Sequence, residues 1–319
     1  MSVSIFILLA LHLLCVNLAS VSPLVGVWLE WMDARGNAAA RRLAPLLAWH
    51  GVISLVIGVC LGASMGWLLW NDRYREAVLQ LGSRLHNGGA ELVFSLALMI
   101  WHAWWCSRPN SPSRRGRWGR ATLAMLAGTN LVYHFPVLMV ILARLATGED
   151  PTTDVLNSAA FRQRLIDPTV LARCVHFWLA SVAVTGVWLL AISWRWQGRL
   201  ADDQSEGPNR LAEAHHVARW GARLALIPTL LQIPSGIWLL STVSPLAQSR
   251  LLGGDLTATL AFGGSVLMAL GFMHRLAAIG MGETSRPQLA QAIGLLVAIV
   301  TLMTYVLRFL ENSTSGLAT

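Results

Sequence analysis

The chain has 319 residues, 55% of them hydrophobic and 13% charged, about half the charged fraction of an ordinary soluble domain. With a mean hydropathy of +0.55, the composition is that of an integral membrane protein and excludes a water-soluble fold. The formal net charge of +8 comes from arginine alone, since the sequence contains no lysine; such charge sits in loops and sets orientation, and it implies no nucleic-acid partner.

Apolar runs of about 20 residues recur along the chain, each long enough to cross a hydrocarbon core about 30 Å thick. Lipid leaves a spanning backbone of this kind only the helix. In chain order the runs predict helices over 4–32, 45–70, 88–106, 120–146, 169–194, 218–244, 256–280 and 288–310. A single all-α bundle of about eight transmembrane helices over 1–319 is expected. The first run continues from Ile5 to about Trp31 with no basic leader and no clear cleavage site, so it reads as a retained helix.

Breakers punctuate the pattern: Asp33 to Gly36, Asn71 and Asp72, Pro109 to Pro112, and Gly148 to Pro151. The connections 71–87 and 147–168 are long enough to fold back over the bundle mouth as short amphipathic helices. Arginine is denser in the connections 33–44, 107–119, 195–217 and 281–287 than in 71–87, 147–168 and 245–255. That bias predicts extracytoplasmic termini in a bacterial-type inner membrane. Trp28, Trp31, Trp49, Trp70, Trp104, Trp105, Trp194 and Trp196 fall near helix ends, as an interfacial aromatic belt requires. Cys15, Cys60, Cys106 and Cys174 are scattered and form neither a CxxC pair nor a CxxCH haem-attachment motif.

An ionisable side chain inside a span is costly unless paired or ligated, so each one marks function by default. His12 and Asn17 lie on the first span, His50 on the second, Glu91 and His102 on the third, Asn130 and His134 on the fourth, and His176 on the fifth. His12 and His176 each sit about eight residues from the outer end of their helix, about 12 Å deep. His134 and Met268 fall near the midplane, whereas His50, His102, His216 and His274 approach the inner side. A lone intramembrane histidine often only hydrogen-bonds a neighbouring helix. Clustered imidazoles instead point to haem iron, with methionine the usual partner where the potential is raised.

With these residues placed, the chain resembles subunit I of cytochrome bd quinol oxidase. The strongest stretch is Leu165 to Ser193, with Asp167-Pro168, Arg173-Cys174-Val175-His176, Ala180-Ser181 and Val184-Thr185-Gly186. Leu11-His12-Leu13, Gly128-Thr129-Asn130-Leu131 and Leu267-Met268-Ala269-Leu270-Gly271-Phe272 are similar to further elements of that family. The family's Gly-Arg-Gln-Pro-Trp motif and long quinol-binding loop are not found, only residues 245–255 standing where that loop falls.

The resemblance implies a haem b membrane cytochrome, with one to three haems, that passes electrons between a quinone pool and a partner or oxygen. His176 and Met268 are the expected ligands of a low-spin haem and His12 of a second, with Glu91 as its opposite ligand or a proton carrier. His134 and Asn130 join the expected cofactor environment, and Arg144 and Arg173 are placed to pair with haem propionates. His50, His102, His216 and His274 form a second set for a further haem near the inner side. Expected partners are membrane lipid and other membrane or extracytoplasmic redox subunits, a c-type cytochrome among them. The alternative from another class is a non-redox transporter or assembly subunit with structural histidines.

Overall fold

The computed structural model describes residues 3–108, 113–148, 155–202 and 207–314, so the expected breakers Pro109 to Pro112 and Pro151 lie outside the described residues. Among the described residues every regular element is helical. The long helices are α1 (Val3–Ala34), α2 (Ala38–Leu68), α4 (Ser83–Cys106), α5 (Arg114–Thr147), α7 (Pro168–Asp202), α8 (Gly207–Thr242), α10 (Leu256–Met281) and α11 (Arg286–Thr314). Among the described residues, eight helices are therefore long and apolar enough to cross a membrane. Three short ones, α3 (Asp72–Leu81), α6 (Ser158–Leu165) and α9 (Pro245–Ser249), lie in the connections. The first two are the fold-back helices expected in 71–87 and 147–168.

Several helices outrun their apolar segments. Helix α2 begins at Ala38 rather than 45, α5 at Arg114 rather than 120, and α8 at Gly207 rather than 218. The physical reason is that a helix satisfies its own backbone in the interface as well as in lipid, so hydropathy marks the buried part and capping marks the end. Asn37 accepts from the Ala40 N–H, Ser113 from that of Gly116, and Asp255 from that of Ala258. Gly148 closes α5 at φ 77°, a left-handed conformation that favours glycine.

The eight long helices fall into two groups of four. Helices α1, α2, α4 and α5 pack together, as do α7, α8, α10 and α11, and α1 joins the groups through contacts with α7 and α11. The tightest seam is α7 against α8, where Gly186 meets Gly221: a Cβ on Gly186 would stand 2.6 Å from the Gly221 carbonyl oxygen. Small residues let backbones approach this closely, which is how helices associate when lipid is as apolar as their side chains. The outer surface is apolar, with Val93 and Leu267 about two-thirds exposed, at 67% and 70%. Such a belt is disfavoured in water and expected in lipid.

The two ends of the bundle differ. At the arginine-rich end Asp33 pairs with Arg41, Arg42 with Glu213, and Glu30 with Arg120. At the other end α3 and α6 lie across the mouth. There the Leu156 N–H donates to the Gln80 carbonyl and Arg84 donates to the Leu156 carbonyl.

Candidate functional site

At the α3/α6 end, helices α1 and α7 are tied inside the bundle. The buried Ser181 hydroxyl donates to Asn17 Oδ1 at 2.6 Å. His12 and His176 each lie five residues before their member of this pair. Helices α1 and α7 run in the same direction, with three crossings between them. The pair therefore holds the two imidazoles at one level, about 7.5 Å further toward the α3/α6 end.

The two histidines have different surroundings. His12 Nδ1 lies 2.8 Å from the Gly58 carbonyl oxygen on α2. A carbonyl can only accept, so Nδ1 carries the proton and Nε2 keeps its lone pair. Gly62, one turn along, gives the ring room, since a Cβ there would stand 2.9 Å from His12 Cε1. His176 has its Nδ1 buried without a partner among the described residues, a costly state for a ring nitrogen unless something else satisfies it.

Met268 is half-buried on α10. Helices α8 and α11 each pack against both α7 and α10, so His176 and Met268 stand on opposite corners of one four-helix group. Gly264 and Gly271 share the face of Met268 at helical spacing, and a Cβ at either would meet open space.

The remaining expected residues divide sharply. Asn130 donates from Nδ2 to the Glu91 carbonyl at 3.1 Å and to Ser95 Oγ at 2.8 Å, binding α5 to α4 beside Glu91. Glu91 itself is half-buried, as is Arg173, one turn before His176. Arg144 is buried and donates from Nη1 to Asp167 Oδ1 at 2.7 Å. The carboxylate at its fork is thus one supplied by the chain. Burial works against that Asp167 carboxylate, but the Arg144 guanidinium and the N–H groups of Val170 and Thr169 outweigh it and hold its pKa below the usual value. His134 is exposed on α5 and packs edge-on against Tyr133.

The second histidine set is not brought together. His50 accepts the indole N–H of Trp188 at 3.0 Å, which draws it to α7. His216 is exposed beside Arg219 and Trp220, and His274 is exposed on α10. Only His102 is deeply buried, at 3% exposure, and it belongs to a group that sequence reasoning did not assemble.

That group sits at the arginine-rich end, where α1, α4 and α5 meet. The Cys106 thiol donates to Glu30 Oε1 at 3.1 Å and lies 3.3 Å from His102 Nε2. Arg120 Nη1 donates to the same Glu30 oxygen at 3.2 Å. All four side chains are buried, and Glu30 Oε2 has no partner among the described residues. His102 and Cys106 share a face of α4 at i, i+4, and Gly26, at the same spacing from Glu30, accommodates the His102 ring against α1. Next to the group is a cavity of about 170 Å³ lined by Glu30, Trp31, Ala34, Arg114, Arg117, Trp118 and Ala121. An i, i+4 His-Cys pair and a carboxylate near the end of an apolar run were the available signals.

Together these features define an all-helical, multi-pass membrane protein that keeps ionisable groups inside both ends of its bundle. No family model matches the sequence, and no curated protein sequence matches it. Among solved structures it is similar to the bd oxidase from Geobacillus thermodenitrificans, with a TM-score of 0.75 over 97% of this chain and 85% of that one. Sequence identity is 13%, so the likeness is one of fold. It agrees with the bd-oxidase-like fold expected from the sequence.

Proposed function

We propose that this chain is a haem b membrane cytochrome that carries electrons between a quinone pool and a partner redox subunit or oxygen. The observation that carries this reading is the Asn17–Ser181 pair, which levels His12 and His176 within a fold similar to that of a bd oxidase. The residues fit the group: His12 keeps a bare Nε2, His176 has an orphaned Nδ1, and Met268 is flanked by two glycines with open space above them. In this reading His176 and Met268 hold one haem and His12 a second. When bound, haem supplies a one-electron couple whose potential follows its axial ligands.

The chain's own residues do the rest. The Gly58 carbonyl fixes the His12 tautomer and ring angle, the outer-shell role that such carbonyls play for ligating imidazoles. Asn130 anchors α4 beside Glu91, which supplies a carboxylate for ligation or for moving a proton. Arg144, held by Asp167, keeps a positive charge near the α3/α6 end, where it and Arg173 favour anionic groups such as propionates. Orientation with this end outside the cytoplasm follows the arginine bias, and a c-type cytochrome is the kind of partner that would meet it there.

The test is a reduced-minus-oxidised spectrum of the purified protein. A Soret band is expected, and His176→Ala should remove the low-spin signal. A sample without a Soret band after dithionite overturns the reading. Oxygen uptake with a reduced quinol then distinguishes delivery to oxygen from delivery to a partner.

A further inference from the structure

From the junction of α1, α4 and α5 we infer a second kind of site: a mononuclear centre for a thiophilic divalent cation of the zinc class, with Glu30, His102 and Cys106 as ligands. It is independent of the haem reading and lies at the opposite end of the bundle.

Three observations carry it. First, one carboxylate oxygen, one imidazole nitrogen and one sulfur all lie within 4.8 Å of one another. Zinc takes sulfur at about 2.3 Å and nitrogen or oxygen at about 2.0 to 2.1 Å, so adjacent ligand atoms of a tetrahedral site stand about 3.5 Å apart. The sulfur-to-oxygen and sulfur-to-nitrogen separations here are 3.1 and 3.3 Å, each a few tenths of an ångström short of that spacing, and the oxygen and nitrogen, within 4.8 Å of each other, reach it by side-chain rotation. Second, Glu30 is 4% exposed with Oε2 unpartnered, so hydrogen bonding within the junction does not use up the carboxylate. Third, Glu30 also lines the neighbouring cavity, which links the buried ligands to the end of the bundle.

The donor set selects the metal. A thiolate with an imidazole favours zinc over magnesium or calcium, which take oxygen ligands. Binding replaces the S–H···O contact: the Cys106 proton leaves to solvent, the thiolate and the carboxylate each give an electron pair to the ion, and nothing is oxidised or reduced. Two anionic ligands neutralise a divalent ion. Arg120, donating to Glu30 Oε1, is a positioning residue that fixes the carboxylate and adds one positive charge. Three protein ligands leave a fourth position. The cavity holds Arg114 and Arg117, whose charge favours water-borne anions there, so the fourth ligand is water or a small anion.

The experiment uses the full chain in detergent, stripped with a chelator and dialysed against Zn²⁺ alone. About one zinc per chain is expected, with one sulfur in its first shell by X-ray absorption, as a Cys-His-Glu site requires. Cys106→Ser and His102→Ala should weaken binding at least about tenfold. Cys60→Ser, at an exposed cysteine on α2, should bind as the parent does. A zinc shell with no sulfur, a parent that binds no zinc, or a Cys106→Ser protein that binds equally overturns the assignment. The parent's absorption spectrum decides the matter even where a variant does not fold.

Discussion

Ser181 on α7 donates to Asn17 on α1 at 2.6 Å, with both residues buried at the seam between the two four-helix groups. The Phe177 carbonyl of its own helix stands 2.9 Å from the same hydroxyl and competes for its single proton, so only the Asn17 bond bears on register between the helices. A double-mutant cycle with Asn17→Leu and Ser181→Ala should show a coupling of about 0.5 to 2 kcal/mol, the range for such bonds between membrane helices. Unfolding in detergent measures it, and strictly additive single variants would mean that the bond does not set the register.

Glu30 and Arg120 form a pair with side-chain exposures of 4% and 6%. Removing one partner leaves a buried charge uncompensated, which costs about 3 to 5 kcal/mol, whereas replacing both by apolar residues is far milder. Glu30→Gln or Arg120→Met alone should therefore lower the thermal midpoint steeply, and Glu30→Leu with Arg120→Met should recover most of the loss.

The seam between α7 and α8 gives a steric prediction. A Cβ on Gly186 would meet the Gly221 carbonyl oxygen at 2.6 Å and the Ala225 nitrogen at 2.7 Å. Both are backbone atoms, which cannot swing aside. Gly186→Ala should cost about 1 to 3 kcal/mol by overpacking. Gly236→Ala, on α8 where a Cβ meets open space, should lose only the small difference in backbone entropy, in the direction of greater stability. Comparing their unfolding midpoints checks the contrast.

Acid sensitivity should localise to Asp167. Its pKa lies below the ordinary value in the folded chain, so its contribution to stability is fully present above the unfolded value of about 3.9 and is lost as pH falls through the folded one. Between pH 5 and 8, taken as about the neutral range, this carboxylate adds no pH dependence. Below about pH 4, stability should fall more steeply in the parent than in Asp167→Asn, which has nothing left to protonate. Parallel acid limbs for the two proteins would show that the Arg144 pair is not the source.

The eight spans and both fold-back helices were legible because hydropathy and segment length are one-dimensional properties of the chain. The direction in which a residue faces was not. In a helix that is apolar all round, periodicity no longer marks an inner face, so His216 and His274 looked equivalent to His102 although only His102 of the three is deeply buried. His50 and His102 share a depth, but one turns to Trp188 and the other to Cys106. The junction of Glu30, His102, Cys106 and Arg120 draws on three helices. Glu30 read as the end of an apolar run, and Cys106 as one scattered thiol of four. Depth along a helix survives translation from sequence, whereas azimuth around it depends on packing.

Azimuth is also what makes the face of Met268 testable. Gly264 and Gly271 flank it, and a Cβ at either would have nothing within 4 Å, so Gly264→Leu or Gly271→Leu should leave the fold intact. If that space is where a planar cofactor lies against α10, filling it should remove haem from the His176 side while unfolding stays unchanged. Gly294→Leu on α11, also open, is the control and should keep the parent spectrum. Haem content per chain after purification is the measurement. Equal content in Gly271→Leu and Gly294→Leu would place the cofactor elsewhere and remove Met268 as its ligand.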